Sequence, residues 1–130
     1  MMSKIQRVNP AGMMKSPAFS QAIITEGSGK TVYIGGQNAV NENNELIGKG
    51  DLASQTEQTM KNLQTALEAC GATFENVVKL TIYLVQGQDV MTGFKASQHY
   101  LTAAPTVSVL FVAGLGNPDY LVEIDAVAFV

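Results

Sequence analysis

The stretch QTMKNLQTALEACGATFENVVKLTIYL, residues 58–84, changes its hydrophobic period halfway along. Met60, Leu63, Leu67 and Cys70 recur at helical spacing, and Thr56 and Leu52 carry the same stripe back towards Asp51, which reads as the opening residue of a helix. Met60 and Cys70 read as packing residues on this stripe, and Glu57 and Lys61 as an i,i+4 ion pair on the wet side. Gly71 follows, where a left-handed C-cap is expected. Beyond it the period falls to two. Val78, Leu80, Ile82 and Leu84 share one face of a strand; Val77, Lys79, Thr81, Tyr83 and Val85 share the other.

Working outward, AFSQAIITEGSGKTVYIGGQ (residues 18–37) reads as a hairpin, with β-rich runs at 19–25 and 31–34 around the turn chemistry of residues 26–30. IQRV, residues 5–8, reads as a short edge strand. Downstream, a second helix is expected from Asp89 to about Leu101, with Met91 as core filler, followed by two terminal strands joined by a Gly-Leu-Gly-Asn-Pro-Asp loop. The order β(β)β–α–β–α–β–β implies right-handed crossovers with both helices on one face of the sheet, an α+β arrangement. The opposite face carries Lys79, Thr81, Tyr83 and Glu123 among apolar residues. That mixture suits a subunit interface containing a pocket.

The 130 residues make a single domain, 1–130. Net charge is -3 and the basic residues are scattered, which argues against a nucleic-acid partner. One cysteine and one histidine exclude a disulfide framework and a Cys/His metal cluster, so no metal is expected, and a reducing compartment is the default. MMSKIQRVNPAG lacks the apolar run of a leader, and no stretch approaches the roughly 20 apolar residues of a membrane span. The expectation is a soluble, cytoplasmic protein with no membrane partner. Charged residues make up only 15% of the chain, against about 25% in an ordinary soluble domain. A symmetric homo-oligomer accounts for that shortfall by covering surface.

Several signals have plain structural readings. GSGKT at residues 27–31 has the tail of a P-loop but Ile24 where the first glycine belongs, and a strand rather than a helix follows it. It is a turn. His99 sits on the second helix with no nucleophile motif nearby. Met13, Met14, Pro17 and Phe19 form an apolar loop that either packs on its own domain or lids a neighbouring pocket. Glu123 and Asp125, in VEIDAVAF, share one strand face about 7 Å apart. That is a spacing found in acid–base pairs, yet two acids on one strand point the same way rather than flank a bond. A structural role for the pair needs a counter-charge, for which Lys79 and Arg7 are the candidates.

Three motifs together resemble the Rid family, the RidA/YjgF-like proteins also called L-PSP endoribonucleases. They are YIGGQNAV at residues 33–40, the 58–84 stretch, and PTVSVLFVAGL with VEIDAVAF as a C-terminal hairpin. The resemblance spans residues 19–129. It implies a mixed β-sheet with two helices packed on one face, the chorismate-mutase-like or Rid fold, assembling as a barrel-centred homotrimer with small-molecule pockets in the inter-subunit clefts. It also implies hydrolysis of enamines and imines without metal or cofactor, an arginine holding the substrate carboxylate and a glutamate positioning water.

Carried over residue by residue, the family's glutamate falls on Glu123, the candidate catalytic residue. The arginine position is Val107 and the cysteine two residues on is Val109. The aromatic before the first strands is Phe19, the polar residue of the second helix is Phe94, and the serine before Gly-Gln is Gly35, followed by Gly36. The ligand-binding set is therefore Phe19, Gly35, Gly36, Phe94, Val107 and Val109. A valine cannot replace a bidentate, charge-assisted contact worth roughly 1.5–3 kcal/mol or more. The reading is a Rid-like homotrimer that binds a small neutral or cationic metabolite with Glu123 as polar anchor. The alternative is a 2-imino acid or enamine deaminase, or a related imine hydrolase, with a rearranged anion site built from backbone N–H groups around Gly35, Gly36 and Val109. The endoribonuclease function in the family's name is disfavoured by the charge.

Overall fold

The computed structural model describes residues 4–130; the first three residues, part of the stretch read for a leader, lie outside them. The elements run β1 (Lys4–Val8), β2 (Ala22–Glu26), β3 (Thr31–Gln37), α1 (Leu52–Ala69), a 3-10 turn (Phe74–Asn76), β4 (Val77–Val85), α2 (Val90–Ser97), β5 (Thr106–Val112) and β6 (Val122–Phe129).

Asp51 opens α1 as expected. Its carboxylate accepts from the Ser54 backbone N–H at 3.3 Å and from the Ser54 hydroxyl at 2.8 Å, and these bonds hold its pKa below the ordinary carboxylate value. Leu52, Met60, Leu63 and Leu67 then turn one stripe inward against Ile34, Leu80, Leu84, Val122, Ile124, Ala126 and Ala128 of the sheet. Each large apolar side chain removed from water contributes about 1.5–3 kcal/mol, so this seam carries the domain. Strict alternation in β6 buries Val122, Ile124, Ala126 and Ala128 and turns Glu123 and Asp125 to the other face.

Four strands form the main sheet in the order β3-β6-β4-β5, with β4 parallel to β5 and β6 antiparallel to both β3 and β4. The sheet is mixed, with both helices on one face. Two expected hairpins are replaced by longer-range pairings. β2 pairs with β1 rather than β3, so residues 26–30 link two sheets, with Gly27 at φ 87°. β5 and β6 do not pair with each other either, because β4 lies between them. Sequence adjacency suggested both hairpins. β6 instead takes a central position with β3 and β4 hydrogen-bonded along its two edges, which leaves no edge for β5.

Four local readings also change. A β-bulge between Val77 and Lys79 reverses the alternation at the start of β4, so Val77 is fully buried while Val78 is not. Cys70 is exposed: it is the C-cap at φ -99° and ψ 9°, off the helical spiral that its spacing assumed. α2 stops at Ser97 and passes into tighter turns through Tyr100 N–H to the Ser97 carbonyl and Leu101 N–H to the Gln98 carbonyl, leaving His99 beyond the helix. Glu57 and Lys61 form no ion pair. Glu57 instead accepts from the Tyr100 hydroxyl at 2.7 Å and stands 3.8 Å from His99 Nε2.

Candidate functional site

α2 packs against α1 and stands off the sheet, and the gap beneath it is a cavity of about 500 Å³. Its floor is Ile82 and Leu84 of β4 with Val122 and Ile124 of β6, its outer wall Val107 and Val109 of β5, and its roof Val90, Met91, Gly93 and Phe94 of α2. Thr56 of α1 closes the inner end. Pro17, Ala18 and Phe19 close the side, whereas Met13 and Met14 of the same apolar loop are exposed and do not line the cavity. Ser20 pins that loop: its hydroxyl donates to the Ala104 carbonyl at 2.7 Å and its N–H to the Pro105 carbonyl at 3.0 Å. Met91 is half exposed at the cavity's edge rather than core filler, because α2 has no sheet to press against there.

The structure therefore brings Phe19, Phe94, Val107 and Val109 together around one cavity. Glu123 and Gly36 lie on the other face of the sheet, with Gly35 beside them where the β3–β6 register shifts. Within a protomer the seven candidate residues thus form two groups on opposite faces.

The acid face has its own construction. Asn38 Nδ2 donates to Glu123 Oε1 and to the Val122 carbonyl, each at 3.2 Å. Asn38 is held in turn by Asn62 of α1, whose Nδ2 donates to the carbonyls of Asn38 at 2.9 Å and Val40 at 2.8 Å, while Gln58 donates to Asn62 Oδ1 at 2.9 Å. Gly36 leaves the room Glu123 needs: a Cβ there would fall 2.5 Å from Glu123 Oε2. Asp125 accepts from the Tyr83 hydroxyl at 3.2 Å, and the adjacent carboxylate charge raises the Tyr83 pKa above that of an ordinary phenol. Neither expected counter-charge arrives. Lys79 Nζ stands 3.5 Å from the Ser108 hydroxyl, and Arg7 donates to the carbonyls of Ala103 and Glu75. Among the described residues no cluster of three or more His, Cys, Asp or Glu side chains could hold a metal ion, and no helix is long and apolar enough to cross a membrane.

Sequence reasoning missed Asn38, Asn62 and Gln55. Gln55 is fully buried, donating to the carbonyls of Gly48 at 3.2 Å and Asp119 at 3.0 Å and accepting from the Leu121 N–H at 2.9 Å. A polar residue beside an apolar stripe reads as surface, and its partners lie in distant segments, so no local signal existed to find it.

A mixed sheet with two helices on one face, a cavity beneath the second helix and an acid on the far face define a recognisable class. The Endoribonuclease L-PSP family model matches residues 13–130, and the chain belongs to that family. A 2-iminobutanoate/2-iminopropanoate deaminase of Homo sapiens is 32% identical over 111 residues, 85% of this chain and 78% of that protein. A RutC family protein of Pyrococcus horikoshii is 31% identical over 111 residues, 85% of this chain and 86% of that protein. Among solved structures, the Rid-family protein YyfB from Yersinia pestis, described as of unknown function, superposes with a TM-score of 0.86 at 34% identity, covering 97% of this chain and 98% of its own.

Proposed function

We propose that the chain is a Rid-family small-molecule-binding protein whose sites form between the copies of a homotrimer, and that it does not use the arginine-dependent deamination associated with the family. One observation carries this reading. Val107 and Val109 stand in the cavity wall at the positions that the resemblance assigns to arginine and cysteine, and among the described residues no charged side chain lines the cavity. The single arginine of the chain, Arg7, is committed to two backbone carbonyls elsewhere.

What the isolated chain leaves uncovered supports the oligomer. β3 and β5 are open sheet edges, and Tyr33 on β3 and Val109, Leu110 and Phe111 on β5 are large exposed apolar residues. Apposing copies through these edges covers them and turns the Asn38–Glu123 pair of one copy towards the cavity of the next. Glu123 is then the acid of a composite cleft with Gly35 and Gly36. The low charge of the chain and its lone cysteine fit such an assembly in the cytoplasm, and the scattered basic residues give ribonucleolysis no support.

A second reading is favoured by the name of the human relative: an imine or enamine deaminase whose anion site is rebuilt from backbone N–H groups, with Glu123 positioning water. Ammonia release from freshly generated 2-iminobutyrate, compared between the native protein and Val107→Arg, separates the two. Release confined to the variant supports loss of the arginine-dependent reaction on an intact scaffold; turnover by the native protein establishes the second reading instead. Light scattering on the same samples checks for a trimer.

A further inference from the structure

The open face of the sheet, turned away from both helices, carries charges that one copy leaves unpaired. Residues directly opposite each other on neighbouring strands share a face. The register therefore sets three rows across it: Tyr33–Val127–Lys79, Asp125–Thr81–Ser108 and Glu123–Tyr83–Leu110. Lys79 and Asp125 stand one row apart on adjacent strands, yet among the described residues neither they nor Glu123 form an ion pair. Lys79 is exposed, and its Nζ reaches away to the Ser108 hydroxyl of β5 at 3.5 Å. Asp125 Oδ2 accepts from the neutral Tyr83 hydroxyl at 3.2 Å, and its Oδ1 accepts from no described residue. Glu123 is held by Asn38 and lies against Gly36 of β3. The face is thus cationic towards β5 and anionic beside β3.

Large apolar groups flank these charges at the two edges: Tyr33 of β3 is 79% exposed and Leu110 of β5 is 43% exposed. A second copy offers what the face lacks, but only in one arrangement. Two β5 sides brought together would set Lys79 against Lys79, and two β3 sides would set acid against acid. Unlike sides bring the cation of one copy to the acids of the next. Such a contact is heterologous, and repeated with the right rotation it closes into a ring. Both charges stand one strand in from an edge, and strands are about 4.8 Å apart, so the two sides must overlap rather than abut. We propose that the β5 side of one open face lies over the β3–β6 side of the next, with Lys79 of one copy paired to Asp125 of the next. This rests on the copy-to-copy assembly proposed above and specifies its surface and its hand. Asp125 is the partner rather than Glu123, because Glu123 is already turned away by Asn38. Like charges are kept apart by the same pattern, so the pair selects the head-to-tail contact over a two-fold one.

Charge reversal in the full chain tests the contact, read as mass against concentration by sedimentation or light scattering. The native protein should run as a trimer. Lys79→Glu and Asp125→Lys, each alone, should raise the concentration of half-dissociation about tenfold or more, because like charges then meet across the contact. The two reversals in one chain should restore the trimer. Mixing the two single variants should restore part of the association, since each offers the other an opposite charge while a ring of three keeps one mismatched contact. Only folded chains recover in this way, so recovery also excludes misfolding as the cause of the loss. Recovery in the double variant without any in the mixture places the pair inside one copy and overturns the contact. Single variants that assemble like the native protein, or loss that neither the double variant nor the mixture reverses, overturn it too, and leave the trimer standing. A monomeric native protein overturns the assembly together with this contact and leaves the face to a partner of other chemistry.

Discussion

Asn38 Nδ2 stands 3.2 Å from both Glu123 Oε1 and the Val122 carbonyl oxygen, so one amide holds an acid and the strand that carries it. The same asparagine is fixed from behind, since Asn62 of α1 donates to the carbonyls of Asn38 and Val40. Helix, connecting segment and acid are thereby linked through side chains that contribute little to the apolar core.

That linkage ranks two substitutions. Asn38→Ala should cost about 1 kcal/mol of stability, the loss of a half-exposed hydrogen bond, and should release Glu123. Asn62→Ala should cost more, about 2 kcal/mol, because the Val40 carbonyl loses its donor, the Asn38 carbonyl keeps only the Val40 N–H, and Asn38 itself is no longer held from α1. Urea midpoints check the order, and a larger loss for Asn38→Ala would contradict it.

Two glycines, Gly29 ahead of β3 and Gly36 within it, should respond differently to alanine. At Gly29 an added Cβ would fall 2.5 Å from the Phe129 ring and 2.9 Å from the Val130 carbonyl oxygen, so backbone must move. At Gly36 the obstacle is the end of the Glu123 side chain, which can swing aside. Gly29→Ala should lower the melting temperature by several degrees, an overpacking cost of about 1–3 kcal/mol. Gly36→Ala should change it little and act on ligand binding at the acid face instead. Similar melting shifts for the two variants would count against this account.

Gln55 is the buried polar residue with most to lose. Gln55→Ala leaves the Leu121 N–H and the Asp119 carbonyl without partners and the Gly48 carbonyl with the Asp51 N–H alone, and a loss of about 3 kcal/mol is expected. Hydrogen exchange should quicken first at Leu121, whose N–H loses its only side-chain acceptor.

Tyr100 predicts a loss of stability in alkali. Burial first, then its hydrogen bond to Glu57, raises the phenol from its ordinary 10.0 to about 12. The unfolded chain therefore gives up this proton at lower pH than the folded one. Stability is unaffected by Tyr100 below about pH 10 and falls as pH rises from there towards about 12. Tyr100→Phe should flatten that fall, measured as urea midpoint against pH; an unchanged slope would remove Tyr100 as its source.

Much of the fold was legible where a residue's burial depends only on its neighbours along the chain. The stripe from Leu52 to Leu67 and the alternation through Leu80 and Leu84 are of this kind, because a helix or strand of regular geometry repeats its inward direction. The reading failed where regular geometry stops: at Cys70, where the helix caps, and at Val77, where a bulge inserts a residue. It failed also at Met91, whose burial depended on how closely α2 approaches the sheet. Of the site, Phe19, Phe94, Val107 and Val109 line one cavity, whereas Thr56, at its inner end, was legible only as a stripe residue.

By itself the sequence determined most of the helical and strand segments, the inward stripe of α1 and the inward pair Leu80 and Leu84 of β4, and that valine stands at the two positions where the resemblance expects arginine and cysteine. Only the tertiary structure decided which strands become neighbours, that Glu123 and the cavity lie on opposite faces of one sheet, and which hydrogen bonds hold Asn38 and Gln55 in place. The physical reason is range. An inward direction is set by backbone geometry within a few residues, while strand pairing and hydrogen-bond partners are settled by competition among segments far apart in the chain.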